Sequence, residues 1–418
     1  MTTALTIPHG VHPWVHALTR FSEDWADRLT IAPLRKGQLM AAAEDRTGLS
    51  DWGRWPFHEA FDTFVDSANR DARLNVLGRL MARGAIVRAL SNHLRQVEAA
   101  KRTPEALEAP LRRPIVIAAP PRTGSTLLQR LLASHPDALS LPLWLAMEPL
   151  PAPSPAVWRA GGDPDRLRQA RRTAWLTDTF LPGMKTLHET GAQLPVECTY
   201  LMLPTFMGLQ WWSIWPVYAY GDWLVQQEGH DAYRYLRRTL QLLQHELPGS
   251  HWVLKAPGHF TAIRETYETL PEALIVQLHR DPAKVIPSVN SMISMTHHLA
   301  SNHVDYQRTS DALIDAIAMG AERSVELRQT ADRDRFVDVA YQQLTSDPLG
   351  TARRILEKAG LRWDDEVEAA LQAFLDANPA GKHGKHRYDL EKYGYSPDSL
   401  RERFAGYMRA FDVQVEGA

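Results

Sequence analysis

Four short apolar runs constrain the fold of this chain more than any other feature of its sequence. They cover residues 115–119, 252–255, 274–279 and 336–340, and helical stretches follow or separate them. Strands that alternate with helices predict an α/β fold, in which helices flank a parallel sheet on both faces. Because such sheets bind ligands beyond the carboxyl ends of their strands, we expect the functional residues at those ends.

The first 110 residues predict a helical N-terminal region, followed by an α/β domain over 111–418. Residues 101–114 are charged and contain three prolines, so they are typical of a connector. A stripe of residues at helical spacing predicts the buried face of one long helix; its members are Leu77, Leu80, Met81, Gly84, Val87, Leu90 and Leu94.

The charge balance excludes a generally basic nucleic-acid binder. The 418 residues include 47 basic and 49 acidic side chains, for a net charge of −2, and we expect no nucleic-acid partner. The single cysteine, Cys198, excludes an intrachain disulfide and is compatible with a cytoplasmic location. The N-terminus has no basic segment before an apolar run, so it does not indicate a signal peptide.

One stretch, residues 198–221, carries no charge over a length that could span a bilayer. Pro204 and Pro216 interrupt it, and its flanking residues, Glu197 and Asp222, are acidic rather than basic. We therefore predict no membrane span and expect short buried helices beside a pocket.

The segment PPRTGSTLL after the first apolar run predicts an anion-binding loop. Gly124 permits close backbone approach, the helix that follows supplies N–H groups and a positive dipole end, and Arg122 adds a planar guanidinium. Ser125 and Thr126 add hydroxyl donors. The Walker spacing is absent, and no lysine precedes Ser125, so the loop suits a single phosphate. The alternative is a capped turn with a surface arginine.

A second anion site is predicted at the end of the run 274–279. Arg280 follows this run, and Ser288 comes eight residues later on the next helix. Taken alone, the Arg-Asp-Pro sequence is also typical of a helix start with a salt bridge. Taken with the first loop, the pair predicts a ligand with two separated phosphates.

PPRTGSTLL followed by LHRDPAKVIPS resembles the nucleotide motifs of sulfotransferases, which use 3′-phosphoadenosine 5′-phosphosulfate (PAPS). The arginine in the loop is similar to that of tyrosylprotein and bacterial sulfotransferases, and the long helical N-terminus is similar to a bacterial branch of the superfamily. The resemblance covers roughly residues 112–412. It implies a P-loop-like sulfotransferase fold. It also implies transfer of a sulfuryl group from PAPS to a hydroxyl, with release of 3′-phosphoadenosine 5′-phosphate (PAP).

The resemblance also implies roles for individual residues. The 5′-phosphosulfate would be bound by Arg122, Thr123, Gly124, Ser125, Thr126 and Leu127. The 3′-phosphate would be bound by Arg280 and Ser288, and Tyr341 would lie beside the adenine. A basic run near the C-terminus would close over the nucleotide through Lys385 and Arg387; the alternative is a plain solvated loop.

Lys255, at the end of the run 252–255, matches the lysine that family members place near the leaving group. A cation there stabilises the charge that develops on the leaving phosphate. The general base is left open. Cytosolic relatives use a histidine two residues after the lysine, where this chain has Pro257. Glu197 and His188 are the first candidates because they precede the aromatic stretch, and the others are His259, Glu148 and Glu189.

Residues 211–223 concentrate aromatic side chains that would either stack on an acceptor or pack in the core. The expected acceptor is a small hydroxylated molecule, phenolic or lipid-like. No metal is expected, because the sequence has no HExxH motif, no cysteine cluster and no Walker motif. A homodimer is compatible with the sequence. The competing hypotheses are a magnesium-dependent nucleotide kinase and a non-catalytic nucleotide-binding protein of the same fold.

Overall fold

The computed structural model describes residues 11–15, 33–184, 189–379 and 393–417. Its centre is a sheet of five parallel strands in the order β2-β3-β1-β4-β5. These strands are β1 Ile115–Ile117, β2 Ala138–Leu139, β3 His251–Lys255, β4 Leu274–His279 and β5 Phe336–Ala340. The predicted α/β class is confirmed. Only β2 was not predicted, because two residues at the sheet edge leave no pattern in the sequence.

Helices surround the sheet on both faces and form the N-terminal region. Before β3 they are α1 Lys36–Thr47, α2 His58–Arg70, α3 Val76–Arg102, α4 Ser125–Ala133, α5 Leu143–Met147, α6 Pro155–Arg159, α7 Pro164–Phe180, α8 Thr199–Met202, α9 Leu209–Ile214, α10 Tyr218–Leu224 and α11 His230–Glu246. After β3 they are α12 Gly258–Thr261, α13 Ile263–Thr269, α14 Pro282–Ala300, α15 Tyr306–Thr330, α16 Tyr341–Ser346, α17 Pro348–Lys358, α18 Asp365–Ala377, α19 Pro397–Arg403 and α20 Ala405–Ala410.

The uncharged stretch 198–221 folds as the short helices α8, α9 and the start of α10, as expected of buried helices. Trp211 and Tyr220 in this stretch are fully buried. Within the described ranges, no helix combines the length and the apolar character needed to cross a membrane.

The predicted stripe on α3 is only partly buried: Leu77, Met81 and Val87 are half-buried, and Gly84 is exposed. Leu90 and Leu94 are buried, but Leu80 is 59% exposed. The buried face is instead built around small residues such as Gly78, where a Cβ would lie 2.0 Å from the carbonyl oxygen of Ala300. The small residues allow α3 to approach the end of α14 closely, and Leu77 and Met81 pack half-buried against Met295 and Leu299 of α14.

The N-terminal helices share a hydrophobic core with the aromatic stretch. Phe61 and Phe64 of α2 lie in one cluster with Phe206 and Trp211. The Phe64 and Trp211 ring centres are 4.5 Å apart. The helical region therefore buries its apolar face against the same helices that line the site described below.

Four fully buried histidines predict a strong dependence of stability on pH. Burial lowers the pKa of His93, His251 and His297 to about 4 and the pKa of His259 to about 3. In the unfolded chain these groups take up protons near pH 6.5. The free energy of unfolding should therefore fall as the pH drops from 7 to 5, by up to about 1.4 kcal/mol per pH unit for each histidine.

Urea unfolding at pH 7, 6 and 5 measures this dependence. His297→Gln should flatten it, whereas His245→Gln, at an exposed position on α11, should leave it unchanged. The same pH slope in the wild type and in His297→Gln would contradict the assignment.

Candidate active site

The functional residues predicted from the sequence collect at the carboxyl edge of the sheet. Lys255 is the last residue of β3, Arg280 follows the end of β4, and Tyr341 follows the end of β5. The strand register pairs Lys255 with Ile117, the last residue of β1. Because the strands are parallel, the loop after β1 opens at this same edge.

That loop forms a tight cradle with two residues in left-handed backbone conformation. Arg122 has φ +67° and Gly124 has φ +85°. The Thr123 hydroxyl is buried and donates to the Pro120 carbonyl oxygen at 2.8 Å, so it shapes the loop from inside. A Cβ at Gly124 would lie 2.8 Å from Leu344 Cδ2, which leaves no room for a side chain.

Helix α4 begins directly after the cradle and points its first amides toward it. Its first internal hydrogen bond runs from the Leu128 amide to the Gly124 carbonyl oxygen at 3.1 Å. The amides of Ser125, Thr126 and Leu127 precede that bond and lie at the positive end of the helix dipole, an arrangement that binds anions. The Leu127 side chain packs against the core, so only its backbone faces the cradle.

An ion pair between Lys255 and Glu197 faces the same space as the cradle. Lys255 Nζ lies 3.0 Å from Glu197 Oε1, and their side chains are 4% and 27% exposed. Both residues line a cavity of about 240 Å³ whose wall also includes Arg122, Ser125 and Thr126. A nearly buried ammonium and its carboxylate partner therefore stand beside an anion-binding loop.

The segment before α8 holds Glu197 in this position. The Cys198 amide donates to the Lys255 carbonyl oxygen at 2.9 Å, and the Lys255 amide donates to Cys198 Sγ at 3.2 Å. Gln129 Nε2 also donates to the Val196 carbonyl oxygen at 2.9 Å. Burial raises the pKa of the Cys198 thiol to about 12, so the thiol stays protonated and its contribution is structural.

Arg280 connects the end of β4 to the cradle. Its Nη1 donates to the Arg122 carbonyl oxygen at 2.6 Å, and its guanidinium carbon lies 3.7 Å from the centre of the Tyr341 ring. Its Nε and Nη2 donate to the two carboxylate oxygens of Glu416 at 2.9 and 3.0 Å. Arginine offers the same fork geometry to a phosphate. The two predicted anion sites are therefore adjacent.

Glu416 is a site residue that sequence reasoning missed, because it is 136 positions from Arg280. The Glu416 amide donates to Asp281 Oδ2 at 3.0 Å, and Arg401 Nη2 donates to the same oxygen at 2.9 Å. These bonds anchor the C-terminal segment. It places a carboxylate on the arginine that was predicted to bind a phosphate.

Ser288, the predicted partner of Arg280, lies on α14 with a side chain that is 2% exposed. Its hydroxyl has no hydrogen-bond partner among the described residues. An unpaired buried hydroxyl costs about 1–3 kcal/mol. A ligand oxygen that reached Ser288 would remove that cost.

His259 occupies a position that does not favour a role as the base. Its side chain is fully buried, and its Nδ1 lies 2.9 Å from the Tyr233 hydroxyl. It is not part of the wall of the 240 Å³ cavity. Burial lowers its pKa to about 3, so the ring is neutral at pH 7.

Two other candidate bases are held by arginines. Glu148 accepts hydrogen bonds from Arg46 at 2.7 Å and from Arg95 at 2.8 Å. Glu189 accepts from Arg130 at 2.6 Å. Neither carboxylate lines the cavity that contains Lys255. Three predicted site residues lie outside the described residues: His188, Lys385 and Arg387.

The aromatic stretch is divided between two cavities and the core. Trp212 lines the 240 Å³ cavity, and Trp211 and Trp215 line a second cavity of about 450 Å³. The Tyr220 hydroxyl donates to the Phe206 carbonyl oxygen at 2.6 Å inside the core. Some aromatic side chains of this stretch therefore line cavities where an acceptor could stack, and others pack in the core.

The model of the protein family described as "Sulfotransferase family" matches residues 114–365. The chain belongs to the sulfotransferase family. The matched region contains the cradle, Lys255, Arg280 and Ser288, and the family resemblance seen in the sequence is confirmed.

Curated relatives match a smaller part of the chain. The omega-hydroxy-beta-dihydromenaquinone-9 sulfotransferases Stf3 of Mycobacterium bovis and Mycobacterium tuberculosis are each 33% identical over 113 residues. The match covers 26% of this chain and 28% of each relative's length.

Solved structures of two sulfotransferases are similar over most of the chain. STF1 from Mycobacterium tuberculosis H37Rv has a TM-score of 0.77 and 31% identity, covering 90% of this chain and 99% of its own. STF9 from Mycobacterium avium has a TM-score of 0.83 and 28% identity, covering 92% and 98%. The likeness therefore includes the N-terminal helices as well as the sheet.

Gly124→Ala should destabilise the cradle. The new Cβ would meet Leu344 in a left-handed backbone conformation, so the free energy of unfolding should fall by about 1–3 kcal/mol. Gly37→Ala on α1, where nothing lies within 4 Å of the added Cβ, is the matched control. It should be neutral or stabilising by up to about 1 kcal/mol. Equal urea midpoints for the two variants would contradict this account of the loop.

Proposed function

We propose that this protein transfers a sulfuryl group from PAPS to the hydroxyl of a lipid-like acceptor and releases PAP. The observation that carries the proposal is the Lys255–Glu197 pair, which shares one cavity with the Arg122 cradle. The proposal includes a cytoplasmic location, which is compatible with the single cysteine of the chain.

The residues present fit the two ends of PAPS, which supplies the sulfuryl group when it is bound. The Arg122 guanidinium and the first amides of α4 would hold the 5′-phosphosulfate. Arg280 would hold the 3′-phosphate through the fork that now binds Glu416, and the unpaired Ser288 hydroxyl would donate to it. Tyr341, already stacked on Arg280, would lie beside the adenine.

Lys255 would stabilise the negative charge that grows on the bridging oxygen as the sulfuryl group departs. Its ammonium is nearly buried, so water screens it weakly and its field is strong. By analogy with phosphoryl transfer, the transition state is loose, and positioning and electrostatics supply most of the rate enhancement.

Glu197 would take the proton from the acceptor hydroxyl. It is the more exposed member of the pair, and one of its oxygens is 3.0 Å from Lys255 Nζ. Protonation of the carboxylate weakens its attraction for Lys255. The ammonium then becomes available to the leaving phosphate at the moment when charge appears there, so the pair couples the two events.

A lipid-like acceptor is supported by the apolar walls and by the curated relatives. Beyond Lys255 and Glu197, the cavity wall includes Phe260, Val289 and Ile293. The Stf3 relatives are named for a hydroxylated menaquinone. An apolar wall with a few polar groups at one end is typical of sites for small apolar molecules.

Product analysis by mass spectrometry tests the transfer itself. Incubation with PAPS and a panel of hydroxylated lipids, steroids and phenols should yield a product carrying one added SO₃, with lipids preferred. Lys255→Ala should lower turnover on the order of 10²–10³-fold, and Glu197→Gln on the order of 10²–10⁴-fold. Both variants should bind PAP with nearly wild-type affinity.

The matched control is Glu402→Gln, at an exposed position on α19, which should keep full turnover. Undiminished turnover in Lys255→Ala would remove the lysine from the mechanism. Tighter binding of ATP with magnesium than of PAP would favour a kinase. Normal PAP binding with no product across the panel would favour a non-catalytic protein.

Nucleotide titration tests the 3′-phosphate site. By calorimetry the wild type should bind PAP more tightly than AMP, and Arg280→Ala should abolish that difference. Glu416→Gln should act in the opposite direction and tighten PAP binding by roughly three- to tenfold, because the 3′-phosphate no longer displaces a competing carboxylate. AMP binding should be the same in Glu416→Gln and the wild type. Equal affinities of the wild type for PAP and AMP would reject the assignment of Arg280.

A further inference from the structure

A second cavity, of about 450 Å³, lies next to the proposed reaction site and is not used by it. Its wall is mostly apolar and includes Met81 of α3, Phe180 of α7 and Trp211 of α9. Its volume falls within the range of about 300–1,000 Å³ that is typical of small-molecule sites.

Gln210 connects the two cavities. It lines both the 240 Å³ and the 450 Å³ spaces, and its Oε1 is buried without a hydrogen-bond partner among the described residues. A molecule that reached from one cavity into the other would pass this amide. The two cavities therefore meet at one side chain, and an acceptor with its hydroxyl at Glu197 would have to pass Gln210 to place a chain in the second cavity.

A charged residue lines the mostly apolar second cavity. Arg88 of α3 forms part of the wall. Within the described ranges, no hydrogen bond or ion pair joins its guanidinium to another residue. Burial lowers the pKa of Arg88, but an arginine remains charged at pH 7. A half-buried cation without a partner in a mostly apolar cavity is costly, and an anion that entered the cavity would offset this cost.

The nearby carboxylate does not neutralise Arg88. Glu148 acts on Arg88 electrostatically. Its Oε1, however, accepts hydrogen bonds from Arg46 and Arg95 at 2.7 and 2.8 Å. Arg166 also interacts electrostatically with Glu148, and its Nη1 is buried without a hydrogen-bond partner among the described residues. Glu148 is thus shared among several arginines, of which only Arg88 lines the cavity.

We propose that the 450 Å³ cavity binds the distal part of the acceptor, an apolar chain that ends in a carboxylate or phosphate paired with Arg88. The inference rests on the proposed function, because it places the other end of the same molecule, the hydroxyl, at Glu197. A guanidinium binds carboxylate and phosphate through the same fork, so the shared requirement is an anionic head group.

Binding to the full chain without PAPS tests this site independently of catalysis. The probes are 16-hydroxyhexadecanoate, hexadecyl phosphate and the uncharged 1,16-hexadecanediol, measured by calorimetry. Arg88→Gln should weaken both anionic probes by roughly tenfold or more and leave the diol unchanged. Arg83→Gln, at an exposed position on the same helix, is the matched control and should change neither.

A second variant tests whether the chain lies in the cavity. Gly84 lines the wall, and nothing lies within 4 Å of a Cβ built there. Gly84→Phe should therefore fill space rather than clash, and it should weaken all three probes together. Circular dichroism of each variant confirms that it is folded.

The outcomes separate this inference from the proposed function. Equal binding of the anionic probes by the wild type and Arg88→Gln, or no binding of them by the wild type, would overturn the site. Arg88-dependent binding of the anionic probes with no sulfated product from PAPS would support the proposed binding site and reject the proposed sulfotransferase activity. If a sulfated product forms and both its rate of formation and the acceptor KM are unchanged in Arg88→Gln, the proposed function is supported and the Arg88 site is rejected.

Discussion

The ion pair between Lys255 and Glu197 is the interaction on which the candidate site depends. It joins residues 58 positions apart and gives a nearly buried ammonium the partner that its charge requires. The pair forms because Cys198 is bonded to the backbone of Lys255 twice, by its amide, which donates to the Lys255 carbonyl oxygen, and by its Sγ, which accepts from the Lys255 amide. Without this contact, the sheet edge would carry an anion cradle and a cation but no carboxylate positioned beside them.

Much of the fold was predictable because buried parallel strands are short apolar runs that end in turns. The bounds of β4 and β5 match the predicted ranges, and β3 begins one residue earlier than predicted. The burial of α3 was not predictable from its apolar spacing. Close packing against α14 depends on Gly78, whose importance appears only when the neighbouring backbone is in place.

The site was predictable where one local segment carries the chemistry, as in the cradle at Arg122 and the strand end at Lys255. Contacts between distant segments were not predictable. Nothing in the sequence marks Glu416 as the partner of Arg280, and the choice among several acidic residues and histidines as the base needed distances. In the structure, Glu197 Oε1 lies 3.0 Å from Lys255 Nζ, whereas Glu148 and Glu189 accept hydrogen bonds from arginines.

Helix α3, which lines the larger cavity, ends at Arg102, before residue 114, where the family match begins. On the proposed function, one wall of the acceptor cavity, with the head-group partner Arg88, is thus encoded outside the stretch that carries the donor motifs. Mutations confined to one helix can alter the length or head group of the lipid that fits while the transfer chemistry is preserved. Relatives with nearly identical catalytic centres can in this way diverge toward unrelated lipids.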